Sequence, residues 1–94
     1  MLDFEWNEAK ATANLAKHGV AFATACLVFD DAFALDFEDR SMKYDEVRRI
    51  AIGMAGGELL TVVYADRSDV IRIISARKAT RQERRHYAEA READ

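Results

Sequence analysis

The sequence predicts an α+β fold. The expected form is a small antiparallel β-sheet, a three- to four-stranded meander plus a short N-terminal strand, packed against two N-terminal helices and a C-terminal helix. Three observations carry this expectation. Apolar residues recur with period two in Leu2 to Trp6 and again from Phe33 to Phe37. An alanine-rich segment, Glu8 to His18, is bracketed by Asn7 as a capping residue and Gly19 as a left-handed terminator. The pair Thr80 and Glu83 forms a T-x-x-E capping box at the start of a charged segment.

In chain order, Leu2, Phe4 and Trp6 alternate with Asp3 and Glu5 as a short strand. Trp6 precedes the first helix in the staple position and reads as a core anchor rather than a base-stacking platform. In Glu8 to His18, Ala9, Ala13 and Ala16 share a small, buried-type face, while Lys10, Asn14, Lys17 and His18 share a polar stripe. A second helix spans about Ala21 to Phe29, with Phe22, Ala25, Cys26 and Phe29 at core spacing. Phe33, Leu35 and Phe37 then alternate with Ala34, Asp36 and Glu38 as a half-buried strand. After a polar loop, Asp39 to Asp45, come strands over Val47 to Met54, Glu58 to Ala65 and Val70 to Ala76. Gly56-Gly57 marks the hairpin between the first two of these. A largely charged helix runs from Thr80 to about Glu92, burying little by itself.

With 94 residues and 50% hydrophobic content, the chain suits one domain over 1–94 with a packed core. The start lacks a basic and apolar leader, and no apolar run reaches membrane-spanning length. The single cysteine, Cys26, reads as a small buried hydrophobe. With two histidines no zinc spacing arises. These features point to a cytoplasmic protein that needs no metal or cofactor. The net charge of −3 hides a split: residues 1–66 carry 6 basic and 12 acidic side chains, and residues 67–94 carry 8 and 5. The basic segment Arg72 to Arg85 therefore faces an anionic partner, or is a solvated helix face of mixed charge.

No phosphate loop, Ser-His-Asp pattern or calcium loop occurs. What remains is a set of cations: Lys10, Lys17, His18, Arg48, Arg72, Arg77, Arg81 and Arg84. Arg72 lies inside an apolar strand, where a guanidinium needs a partner or an open groove, unless it is an edge residue reaching water by its stem. Arg77 stands at a strand-to-helix corner beside backbone N–H groups that attract phosphate. In strict alternation Arg72 and Arg77 face opposite sides, so their convergence requires the strand to end before Arg77. His18 beside Lys17 is the neutral-pH acid–base pair, or a helix C-terminal histidine favoured by the dipole. His86 reads as solvated, and Tyr87 either packs or stacks on a base.

Phe4-Glu5-Trp6-Asn7-Glu8, Lys10, Asn14, Lys17-His18-Gly19-Val20-Ala21-Phe22 and Phe29-Asp30 together resemble the opening of BrnT-type toxins. The resemblance continues through Arg48, Ile50-Ala51-Ile52-Gly53 and Leu59 to Tyr64. It ends with Ile71-Arg72-Ile73-Ile74-Ser75-Ala76-Arg77-Lys78-Ala79-Thr80, Glu83-Arg84 and Tyr87. It covers nearly the whole chain and departs at Asn7, where the family usually shows aspartate, an equivalent cap. The resemblance implies a RelE-like fold and a toxin of a type II toxin–antitoxin pair, a ribonuclease that blocks translation by cutting RNA. It also implies a BrnA-like ribbon-helix-helix antitoxin in a heterotetramer that reaches operator DNA only through the antitoxin. Metal-independent cleavage by the ribose 2′-OH assigns Arg72 and Arg77 to the phosphate, His18 to proton transfer, and Lys17 and Arg48 to supporting charge. Lys10, Arg81, Arg84 and Tyr87 become RNA contacts, and Glu83 a cap rather than a general base. The competing readings are an inert nucleic-acid-binding module and a pure protein-interaction subunit. The second would be met through the acidic stretch from Asp30 to Glu46, unless that stretch is a solvated rim.

Overall fold

The computed structural model describes residues 2–43 and 45–93. Strand β1 (Asp3–Glu5) leads to helix α1 (Glu8–His18), short helix α2 (Phe22–Ala25) and a 3₁₀ turn (Cys26–Asp30). Strands β2 (Leu35–Glu38), β3 (Arg49–Ala55), β4 (Glu58–Arg67) and β5 (Val70–Lys78) follow, and helix α3 (Arg81–Glu92) closes the chain. The five strands form one sheet in the order β1-β5-β4-β3-β2. Pairs β2–β3, β3–β4 and β4–β5 are antiparallel, whereas β1 joins β5 in parallel, so the sheet is mixed rather than wholly antiparallel. The parallel step is possible because α1 and the rest of the chain intervene between the two strands.

Alternation sorts the strands into two faces. One carries Ala51, Leu60, Val62, Tyr64, Ile71, Ile73 and Ala76, which pack with Val20, Phe22, Ala25 and Val28 from the N-terminal helical layer. Trp6 meets Phe22 edge-on at 6.0 Å and supports this core, as a staple residue should. The 3₁₀ turn crosses close over Gly53. A Cβ there would lie 3.0 Å from both Ala34 and Val28 side chains. The opposite face carries Ile52 and Leu59, covered by Ala79 and Tyr87 of the α3 region. The charged C-terminal helix therefore buries more than its composition suggests. Tyr87 is 6% exposed, and its hydroxyl donates to Asp31 Oδ2 at 2.6 Å.

Helix α1 has the caps its sequence announces: Asn7 accepts from the Lys10 N–H, and Gly19 ends it at φ 70°. Its buried face is not the alanine face, however. Ala9, Ala13 and Ala16 are exposed, and the residue turned inward is Asn14, 7% exposed. The reason lies in the sheet. Strand β1 pairs with β5 only from Val70 to Arg72, leaving the outer edge of β5 without a strand beyond that point. Asn14 takes its place. Its Nδ2 donates to the Ala76 carbonyl at 2.8 Å and to the Val20 carbonyl at 3.0 Å, and its Oδ1 accepts from the Ala76 N–H at 3.1 Å. An amide supplies donor and acceptor together, which no apolar side chain can do.

Removing that amide leaves buried backbone groups unpaired. Asn14→Ala should lower unfolding stability by about 2–4 kcal/mol, given the cost of orphaned buried hydrogen-bond partners. Urea denaturation checks this, and a loss below about 1 kcal/mol would show that the edge is satisfied some other way.

Candidate functional site

Arg72 and Arg77 open on one face because β5 carries an extra residue. Arg72 pairs with Ala65 and Arg77 with Thr61, so β5 advances from 72 to 77 while β4 advances only from 65 to 61. The irregularity falls where Tyr64 pairs with Ile73 and Val63 with Ser75, leaving Ile74 unpaired. A β-bulge of this kind resets the alternation. The strand does not end before Arg77, as strict alternation demands for convergence; it runs to Lys78. Both arginines therefore share the α3 face of the sheet, roughly 15 Å apart along β5 at about 3.3 Å per residue.

At the α3 end of this face, Arg77 holds Glu83 in a two-point ion pair, Nη1 to Oε1 at 2.7 Å and Nη2 to Oε2 at 3.0 Å. Glu83 Oε1 also accepts from the Thr61 hydroxyl at 2.9 Å and the Thr80 N–H at 2.8 Å. Thr80 in turn accepts from the Glu83 N–H, completing the capping box. Burial alone would raise the Glu83 carboxyl, but the bonds from Arg77, Thr80 and Thr61 outweigh it and bring it down to about 2. Glu83 is thus an ionised anchor at neutral pH and unsuited to accept a proton there.

At the other end, Arg72 Nη1 donates to Glu5 Oε2 at 2.9 Å, its register partner on β1. Arg67, which lies in the same alternation as Ala65, pairs with Glu46 through Nη2 at 3.0 Å and Nε at 3.3 Å. Hydrogen bonding from Arg67 pulls Glu46 below the usual carboxylate range, and the charges of Arg67, Arg48 and Arg72 add to it. Arg48 immediately precedes β3, where continuing the ladder sets it opposite Ala65 and beside Arg72. Three arginines and two glutamates therefore meet at this end. The sequence reading missed Arg67 because it ended the strand at Ala65. Two more residues of alternation would have brought Arg67 into the row of Arg72.

The other candidates lie elsewhere. Lys17 is exposed and His18 half-buried in the last turn of α1. Among the described residues, no hydrogen bond or ion pair joins either of them to Arg72 or Arg77. Their helix nevertheless ends close by, since Asn14, one turn before His18, bonds the backbone of Ala76, the neighbour of Arg77. Lys10, Arg81, Arg84 and His86 are exposed. Tyr87 is buried against Ile52 and Leu59, so it packs and offers no ring for stacking. Arg49 belongs to the helical-layer face, where it and the Tyr64 hydroxyl both donate to Asp36. Cys26 is half-buried, and burial pushes its thiol up. Among the described residues, no helix is long and apolar enough to cross a membrane.

Over residues 6–83 the chain matches the family model described as "Ribonuclease toxin, BrnT, of type II toxin-antitoxin system". The search of curated proteins gave no match.

The low pKa of Glu83 has a consequence for stability. Its folded value is about 2 against an ordinary 4.5, so the native state binds fewer protons than the unfolded chain. The stabilisation is present above pH 4.5 and is lost as pH falls toward 2. Acid titration of unfolding should show this limb in the wild type and a flatter one in Glu83→Gln. Identical limbs in the two proteins would refute the assignment.

Proposed function

The chain belongs to the BrnT family of ribonuclease toxins from type II toxin–antitoxin systems, and from that premise we propose that it is an endoribonuclease that inhibits translation by cleaving RNA through 2′-OH attack. The observation that carries the proposal is the bulge in β5, which sets Arg72 and Arg77 on one open face with Arg48 and Arg67 beside the former. In this chemistry the 2′-oxygen bonds to the adjacent phosphorus and the 5′-oxygen leaves. One proton is removed from the nucleophile, one is given to the leaving group, and the phosphate gains charge in between. Fixed guanidiniums suit that added charge.

Arg77 is the residue proposed to meet the reacting phosphate. Arg48 and Arg72 hold the RNA backbone further along the sheet, and Arg81 and Arg84 extend the basic surface along α3. His18, with Lys17 beside it, is the proposed proton-transfer group, approaching from the edge of β5 one turn beyond Asn14. Lys10 contributes charge at a distance. The scheme calls on no metal or cofactor. The proposed partner is a BrnA-like ribbon-helix-helix antitoxin in a heterotetramer, which reaches operator DNA only through the antitoxin, and the proposed compartment is the cytoplasm. Kinship with the RelE group is supported by the α+β arrangement of one sheet with helices on both faces.

A second reading, an inert nucleic-acid-binding module, is favoured by one observation. Arg67, Arg72 and Arg77 each already hold a carboxylate, and none of them is bonded to a histidine among the described residues.

Purified protein incubated with RNA in excess EDTA separates the two. Cleavage is expected, with Arg77→Ala reduced roughly 100-fold, the scale of losing one charge-stabilising donor. His18→Ala should lose about 100-fold or more if it transfers the proton. Tight binding without cleavage would favour the inert module, and full activity in both variants would refute the assigned roles.

A further inference from the structure

The guanidinium of Arg77 has five N–H bonds to place. One from Nη1 goes to Glu83 Oε1, the other points to the Lys78 carbonyl at 3.3 Å, and one from Nη2 goes to Glu83 Oε2. Two remain without a partner among the described residues, the Nε–H and the second proton of Nη2. They lie parallel on one edge of the planar group, because Nη2 is the terminal nitrogen on the Nε side. The side chain is 40% exposed, and this edge is the part of the guanidinium that holds no protein group among the described residues. A parallel pair of N–H bonds matches two oxygens of a phosphodiester.

The other edge is held from inside the sheet. Thr61 is 2% exposed, opposite Ile52 in the β3–β4 register. Valine has nearly the same shape and would pack there without a buried hydroxyl. The hydroxyl of Thr61 makes one bond, to the Glu83 oxygen that also faces Arg77 Nη1. The series therefore runs from the sheet interior to the surface: Thr61, Glu83, Arg77, then the two open N–H bonds.

We propose that Thr61 and Glu83 are positioning residues that fix the Arg77 guanidinium by one edge so that its Nε–Nη2 edge receives a phosphate group of the RNA backbone. The proposal rests on the ribonuclease reading and specifies how its phosphate is held. The carboxylate does not compete with the substrate, because the two take different edges. Glu83 restricts the rotation of a long, flexible side chain, so less freedom is lost when phosphate arrives. Arginine is required here rather than any cation, since an ammonium has no second edge.

The test measures binding of a 2′-O-methyl RNA oligonucleotide, which cannot be cleaved, and cleavage of the matching RNA, with thermal unfolding followed in each protein. Thr61→Val should weaken oligonucleotide binding about fivefold to tenfold, the scale of a typical net hydrogen bond, and raise KM and lower kcat together, since the phosphate that Arg77 holds is the reacting one. Thr61→Ser keeps the hydroxyl and should restore binding to within about twofold. Arg77→Lys keeps the charge and leaves the sheet interior untouched, so it remains informative if Thr61→Val unfolds. It should bind about tenfold more weakly, as expected for loss of a two-point contact. Wild-type protein that cuts RNA while Thr61→Val or Arg77→Lys matches it would overturn this inference alone. Serine failing to restore what valine lost would also overturn it. Wild-type protein that neither binds nor cuts RNA would overturn both this inference and the ribonuclease reading.

Discussion

The structure depends on one unpaired residue in its last strand. Strand β5 must present apolar side chains to the helical layer along its whole length and arginines to the other side at both ends. With strict alternation it could not do both. Ile71 and Ile73 face the core, and so does Ala76, an interval of three that only a bulge at Ile74 allows. The same slip carries Arg72 and Arg77 to the outer face. Because the slip sits between well-paired segments on either side, the ladder with β4 resumes and the strand continues to Lys78. Core and site are thus set by a single local irregularity, and neither could be moved by one register step without moving the other.

Around this scaffold the cations are organised rather than merely accumulated. The chain is net acidic, and Arg67, Arg72 and Arg77 each hold a carboxylate at 3.0 Å or less. Exposed pairs of this kind add little to stability. Their effect is directional: a paired guanidinium points one way and keeps some of its donors for another ligand. Arg77 differs from the rest because its carboxylate is tied back to a buried hydroxyl and to a helix cap. Glu83 closes the α3 cap, holds the arginine and satisfies Thr61 at once, so the start of α3 and the orientation of Arg77 cannot vary independently.

Much of this was legible in the residues, and the parts that were not share a cause. Asn7, Gly19, the Thr80–Glu83 box and the Gly56-Gly57 turn act within a few positions, and each appears where its local chemistry dictates. The inward face of α1 was misread because the partner of Asn14 is Ala76, 62 residues away, and no local pattern announces an amide recruited by a distant strand edge. Tyr87 was ambiguous for a similar reason: its ring is covered by β3 and β4 and its hydroxyl by Asp31. The bulge left only a weak trace, the interval of three between Ile73 and Ala76. Arg48, Arg72 and Arg77 do lie on the site face, but the carboxylates that Arg72 and Arg77 hold, Glu5 on β1 and Glu83 on α3, emerge as partners only in three dimensions, as does the pairing of Arg67 with Glu46.

The amide of Asn14 also bears on what the molecule does in a crowd. An open strand edge is a template on which another chain can add, and short parallel pairings such as β1–β5 leave part of such an edge uncovered. Asn14 fills the hydrogen-bonding positions of Ala76 with a side chain that cannot be extended by a further strand. A single residue on a helix thereby acts as a stopper against edge-to-edge association, at the point where the strand carrying Arg77 would otherwise invite it.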